Sequence, residues 1–202
     1  MDAAMTRFDA IVIGGSAGAL EPLLAVLRAL DPLPTPVVVV LHLPPSQPSL
    51  LRPLIAHACP GRVTREPEDK EPLRPGAIYV APPNYHLLVE RGGTLSLSID
   101  QPVNFSRPSI DVLFESAAHA FGAAVAAVVL SGSSADGARG LAAIADGGGA
   151  AVVQADAQYP LMPDEARRHA PSATALPAGE IAAHLTQLAQ LAADRPARGP
   201  AP

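Results

Sequence analysis

Ser16, His42 and Asp136 are the residues of this 202-residue chain whose types and surroundings suit chemistry. Ser16 stands in F-D-A-I-V-I-G-G-S-A-G-A-L, Phe8 to Leu20, where the β-branched run Ile11-Val12-Ile13 is stopped by Gly14-Gly15. A helical pattern follows: Ala19-Leu20-x-x-Leu23-Leu24-x-x-Leu27. A buried strand, a glycine turn and a helix open an α/β sheet. Beside a helix N-terminus, unpaired N–H groups and the helix dipole favour negative charge. A serine there can be a nucleophile whose oxyanion has donors close by. Two other readings stand beside that one. Ser16 can simply cap the helix. The turn can also cradle a dinucleotide phosphate, but that fingerprint wants G-x-G-x-x-G. Counted from Gly14, Ser16 and Ala19 occupy its second and third glycine positions.

His42 closes a second apolar run, Val37 to Leu41. Asp136 follows a third, Ala123 to Leu130, after Ser131-Gly132-Ser133-Ser134. Open α/β sheets bind their ligands at the carboxyl ends of strands, at the topological switch point. A serine, a histidine and an aspartate are the members of a nucleophile–base–orienter triad. Singly, His42 reads equally well as a satisfied core histidine, and Asp136 as a cap of the helix after it. Together at one edge they point to nucleophilic catalysis. Gly14-Gly15-Ser16-Ala17-Gly18 also satisfies G-x-S-x-G, the nucleophile elbow of α/β-hydrolases. The order Ser, His, Asp and the place of Ser16 after the first strand argue against that fold.

The elements that must position these residues alternate along the chain. The patterns predict helices over about 18–30, 49–58, 106–121, 137–146, 163–169 and 181–193. They predict strands at Val37–Leu41, Val63–Arg65, Ala123–Leu130 and Ala151–Gln154. Three further short strands, Ala77–Ala81, His86–Glu90 and Leu95–Ile99, separated by Pro82-Pro83-Asn84 and Arg91-Gly92-Gly93, read as antiparallel hairpins. The alternation implies an α/β, doubly wound, mostly parallel, Rossmann-like sheet with an antiparallel hairpin region. One domain over 8–193 is expected, with a disordered tail over 194–202, where R-P-A-R-G-P-A-P closes the chain.

Composition excludes several classes. The chain is 49% hydrophobic, enough for a sizeable core, and carries a formal charge of −5. Lysine is nearly absent and the arginines are scattered, so no basic stripe suggests nucleic acid. The lone Cys59 excludes an internal disulfide and reads as a small buried filler. No signal-peptide layout or membrane-span run is present, so a cytoplasmic protein without membrane insertion is expected. The remaining histidines, His57, His86, His119, His169 and His184, are scattered, and no metal site or cofactor is expected.

Several blocks resemble the chemotaxis protein-glutamate methylesterases, the CheB-type catalytic domain. They are I-G-G-S-A-G-A (Ile13–Ala19), L-H-L-P-P (Leu41–Pro45) and P-G-A-I-Y-V-A-P-P-N-Y-H-L (Pro75–Leu87). R-P-S-I-D-V-L-F-E-S (Arg107–Ser116), L-S-G-S-S-A-D-G-A-R-G (Leu130–Gly140) and M-P-D-E-A (Met162–Ala166) complete the set. The resemblance spans Asp9 to about Leu191. It implies Ser16 as nucleophile, His42 as base and Asp136 as orienting carboxylate. It implies hydrolysis of a glutamyl γ-methyl ester on a chemoreceptor-type protein, releasing methanol, and deamidation of some receptor glutamines. The amides of Ala17 and Gly18 would hold the oxyanion, and Ser133, Ser134 and His86 would border the substrate, a structural role being the other reading of His86. Should Asp136 prove a mere cap, Asp111 is the carboxylate to consider instead.

The sequence departs from the family in places. The nucleophile turn usually reads S-T-G-G and is Ser16-Ala17-Gly18-Ala19 here. Ser133 and Ser134 replace the Met and Gly of T-G-M-G-x-D-G. A non-catalytic receptor-binding module is therefore a second reading. A dinucleotide-binding oxidoreductase is a third, although His42 stands where it would want an acid. Family members usually carry an N-terminal phosphorylatable receiver domain. Only a few residues precede the first strand here, so activity independent of phosphorylation is expected. The sequence does not specify an oligomeric state.

Overall fold

The computed structural model describes residues 8–30, 33–42 and 50–190. Its strands are β1 (Ala10–Gly15), β2 (Val37–Leu41), β3 (Thr64–Arg65), β4 (Ile78–Val80), β5 (His86–Glu90), β6 (Thr94–Ser98), β7 (Val125–Val129), β8 (Ala150–Gln154) and β9 (Thr174–Leu176). Its helices are α1 (Leu20–Ala29), α2 (Leu51–Ala58), α3 (Ile110–Phe121), α4 (Ala138–Asp146), α5 (Leu161–His169) and α6 (Ala178–Gln190). A seven-stranded sheet runs in the order β3-β4-β2-β1-β7-β8-β9, and all its pairings are parallel. β5 and β6 form a separate antiparallel pair.

Parallel strands are buried on both faces and therefore read as continuous apolar runs. Successive side chains of β1 serve two cores. Ile11 and Ile13 pack with Leu23 and Leu27 of α1, Ile55 of α2 and Leu185 of α6. Val12 packs on the other face with Leu113 of α3, Ile144 of α4 and Met162 of α5. Leu87 of β5 and Leu95 of β6 join that second layer. Cys59 is buried in the first, in keeping with a filler role.

The structure corrects the reading of Ala77–Ala81. β4 is not part of a hairpin: it lies in the main sheet, parallel to both β2 and β3. The physical reason is visible in its residues, since Ile78, Tyr79 and Val80 are all buried. A hairpin strand with one solvated face would alternate instead. β9, which no pattern announced, adds an edge beside β8. The expected tail, residues 194–202, lies outside the described residues. Among those described, no helix is long and apolar enough to cross a membrane.

The chain runs outward from β1 to β2, β3 and β4, then returns to β7 on the other side of β1. That reversal is the topological switch point, where diverging connections leave a crevice beyond the strand ends. Ser16 follows β1, His42 follows β2 and Asp136 follows β7, so all come from strands at or beside this point.

Candidate active site

Ser16 is the first residue beyond β1. Its N–H donates to Ser131 O (2.9 Å), and its carbonyl accepts from Ala19 N–H (3.1 Å), closing a turn. Gly18 takes φ +72° in that turn, a conformation that glycine adopts without strain. A Cβ on Gly18 would also lie 2.9 Å from both Ser131 Oγ and Tyr159 Cδ2. α1 begins at Leu20, and its N-cap is Ala19, so Ser16 does not cap the helix. The Ser16 hydroxyl and the amides of Ala17 and Gly18 have no hydrogen-bond partner among the described residues. Gly18 is exposed and Ser16 and Ala17 are partly so.

His42 is the first residue beyond β2. Its N–H donates to Gly15 O (3.0 Å), which extends the Gly15–Leu41 register and brings it beside Ser16. Its Nε2 lies 2.9 Å from Asp136 Oδ2. An ionised carboxylate only accepts, so Nε2 carries the proton and Nδ1 keeps its lone pair. Nδ1 is thus the nitrogen left for a base. The side chains of Ser16 and His42 are not hydrogen-bonded to each other in this structure.

Asp136 is fully buried. It does not cap α4, the helix of its own loop, whose N-cap is Gly137. It sits instead on the N-terminus of α3. Oδ2 accepts from Ile110 N–H (2.7 Å), and Oδ1 accepts from Asp111 N–H (3.1 Å) and Ser109 Oγ (2.7 Å). Asn104 Nδ2 adds a further bond to Oδ1 (2.9 Å). Burial pushes the Asp136 carboxyl up, but hydrogen bonds from His42, Asn104, Ile110 and Ser109 outweigh it and hold it below the usual carboxylate range. The N-terminal end of the helix adds its own field in the same sense. The carboxylate is ionised and fixed beside the imidazole.

The close seating of α3 depends on Gly14. A Cβ there would lie 2.3 Å from Ile110 Cγ2, so only glycine lets the first residue of α3 press onto β1. Ser109 caps α3, its Oγ accepting from Val112 N–H (3.4 Å) while donating to Asp136. Asp111 takes a different set of partners: Gly140 N–H (2.8 Å), Arg139 Nε (3.2 Å) and the same Asn104 amide (2.8 Å). The carboxylate that meets His42 is Asp136, and Asp111 braces α3 against α4.

The other expected border residues are placed less evenly. Ser133 is exposed and Ser134 half-buried in the loop between β7 and α4. The Ser134 hydroxyl is shielded and has no partner among the described residues. His86 is 2% exposed. Its Nδ1 accepts from Ser109 N–H (3.2 Å), and its Nε2 lies 3.1 Å from Gln101 O. Both ring nitrogens are engaged with backbone, so the structure places His86 as a support under the α3 cap instead of a lining for substrate.

Sequence reasoning missed Asn104, Ser109 and Ser131. Ser109 had a signal, since a serine before an apolar helical run marks an N-cap. Ser131 is buried; its Oγ donates to Ala17 O (2.8 Å) and accepts from Tyr159 N–H (2.9 Å), tying the Ser16 turn to the loop after β8. Asn104 lies in a loop with no periodicity to announce it. It and Phe105 form a tight turn: Val103 N–H donates to Ser106 O (3.1 Å) and Ser106 N–H to Val103 O (2.9 Å). Both central residues have positive φ, +51° for Asn104 and +61° for Phe105. A non-glycine residue held left-handed costs roughly 1–2 kcal/mol. Asn tolerates this conformation; Phe does not. A hollow of about 240 Å³ beside this turn is lined by His42, Asn84, Pro102, Phe105 and Pro108 among others.

The fold and this site define a class: a doubly wound α/β protein in which Ser16, His42 and Asp136 all follow strands at or beside the switch point and His42 meets Asp136. The chain belongs to the CheB methylesterase family, whose pattern matches residues 11–185. It is similar to a Rhodospirillum rubrum protein named protein-glutamate methylesterase/protein-glutamine glutaminase 1, with 37% identity over 195 residues. That match covers 93% of this chain and 50% of the relative, so the chain spans about half that protein's length. A Leptospira interrogans relative, provisionally given the same pair of activities, is 43% identical over 166 residues, 79% of this chain and 84% of its own. The crystal structure of the Thermotoga maritima CheB methylesterase catalytic domain superposes with a TM-score of 0.83 at 28% identity. It is matched over 98% of its length and 90% of this chain.

Proposed function

We propose that this chain hydrolyses glutamyl γ-methyl esters on a methylated chemoreceptor or receptor-like signalling protein, through Ser16, His42 and Asp136. The observation that carries the reading is the His42 Nε2–Asp136 Oδ2 contact of 2.9 Å beside the Ser16 turn. His42 Nδ1 takes the proton as Ser16 Oγ attacks the ester carbonyl. The carbonyl electrons move onto oxygen, and the amides of Ala17 and Gly18 donate to that oxyanion. The tetrahedral species collapses, the C–O bond to the methoxy group breaks, and the imidazolium protonates the leaving oxygen to give methanol. Water, giving a proton to His42, then attacks the acyl carbonyl; the bond from that carbon to Ser16 Oγ breaks, the imidazolium returns the proton to Oγ, and the glutamate side chain leaves as the acid, which ionises to the carboxylate. Asp136 keeps the imidazole in the required tautomer throughout. A receptor glutamine would follow the same path with ammonia leaving.

Residues 8–193 act in this reading as one catalytic domain working in the cytoplasm, with no nucleic acid as partner. Labelling with a fluorophosphonate followed by peptide mapping tests it. The expected adduct is on Ser16 and is lost in His42→Gln. A protein that binds methylated receptor yet takes no label at Ser16 would be the non-catalytic module instead.

A further inference from the structure

We infer that Phe105 is a specificity-determining residue, docking an apolar side chain of the receptor next to the methylated glutamate. The assignment rests on the esterase reading above and adds the residue that recognises the protein around the ester. Phe105 is 104% exposed, so its ring rests on none of the described residues. It is held at φ +61° in a two-residue turn, a position that glycine fills without strain. Glycine there would remove both the backbone strain and the exposed ring. A feature unfavourable on two counts, with no return inside the molecule, points to a return outside it.

Place makes the partner specific. Phe105 and His42 both line this hollow, which places the turn that carries the ring at the border of the site. The turn is not free to swing, because Asn104 Nδ2 bonds both Asp136 (2.9 Å) and Asp111 (2.8 Å). The backbone that carries the ring is therefore anchored to Asp136, the partner of His42. Among the described residues that line the hollow, Arg107 is the one that is permanently charged; Pro102 and Pro108 also border it, and Tyr85 and Ile99 are exposed close by in sequence to its lining residues. Arg107 spends Nη1 on the carbonyls of Ile99 (2.8 Å) and Asp100 (3.0 Å). An apolar side chain of the receptor fits this border, and a methyl ester, being neutral, fits the hollow behind it. Tyr159, 42% exposed, lies against Gly18 of the Ser16 turn and adds a second aromatic beside the site. Aromatic anchors at the centre of a contact carry a large share of binding.

The test compares Phe105→Ala and Phe105→Gly with the unaltered protein on two substrates: a methylated receptor cytoplasmic fragment and p-nitrophenyl acetate. Removing a docking ring should raise KM for the fragment by roughly tenfold, with kcat for it changed far less. The loss in kcat/KM should be at least several-fold greater on the fragment than on the small ester. Thermal melting of Phe105→Gly should shift upward, which a structural role would not produce. Equal losses on both substrates, or a KM for the fragment that does not move, would overturn the assignment. Concentration-dependent self-association that vanishes in Phe105→Ala would also overturn it, the ring then serving a second copy of this chain. If the unaltered protein hydrolyses neither substrate, the esterase reading itself fails and takes this assignment with it.

Discussion

At the scale of the residue, Asp136 decides what the site can do. All the groups around its oxygens donate: His42, Asn104, Ser109, and the amides of Ile110 and Asp111. Asp136→Asn would turn an NH₂ toward donors, leaving a buried mismatch of about 1–3 kcal/mol. It would also favour the wrong imidazole tautomer; the corresponding change in a serine-protease triad lowers kcat by about 10⁴. Loss of both activity and urea stability is expected, measured separately on the folded fraction. The pH dependence follows with a definite sign. The Asp136 carboxyl is held below its ordinary 3.8, so its contribution to stability is complete above that value. It drains away as acid carries the pH down through the lower folded value. Acid unfolding of the unaltered protein should show that slope, and Asp136→Asn should flatten it. Asn104→Ala removes one charge-assisted bond from each of two carboxylates. A loss of roughly tenfold to a hundredfold in kcat is expected if one such bond, about 1.5–3 kcal/mol, is felt in the transition state. Asn104→Asp should not rescue it, because it places another carboxylate against Asp136. Ser16, His42 and Asp136 were legible in the sequence because each follows an apolar run at or a few residues beyond its end. What holds them was not, since Asn104 acts through a loop conformation that leaves no periodic trace.

At the scale of the element, α3 is the part on which the site depends. Its N-terminal amides fix Asp136, its cap Ser109 bonds the same carboxylate, and His86 supports that cap from below. Gly14 makes the close approach possible. Gly14→Ala should therefore push Ile110 away from β1 at a cost of roughly 1–3 kcal/mol, the range for overpacked sites. Activity per folded molecule should fall as well, because Ile110 N–H leaves Asp136. Adding Ile110→Ala to Gly14→Ala should recover part of the stability, as read by denaturant unfolding. The sequence made the helix legible through its amphipathic pattern and proline start. Its service to a carboxylate in another loop, after β7, is a long-range fact that local patterns do not carry.

At the scale of the molecule, the sheet separates two cores, and only one of them holds the site. Leu185→Ala, in the layer of α1, α2 and α6, should destabilise by about 2–5 kcal/mol, the usual range for a buried leucine. The rate of its folded fraction should be retained. Ile110→Ala, in the other layer, should lose stability and rate together. The order of strands was legible only in part. Continuous apolar runs gave β1, β2, β7 and β8 their buried, parallel character, yet β4 was misread among hairpins. Its run is short and sits between proline-rich turns, and three buried residues do not distinguish an inner strand from a hairpin arm until a neighbour is known. β9 escaped notice because Thr174 is exposed and Ala175 and Leu176 only half-buried at an edge.

The central claim is that Ser16 carries the ester cleavage at the switch edge of the sheet. Its most direct test is methanol release from a methylated receptor cytoplasmic fragment by the unaltered protein and by Ser16→Ala, whose fold is checked by circular dichroism. Release by the unaltered protein and none above background by Ser16→Ala is the expected result. Release by Ser16→Ala at the unaltered rate would contradict the account.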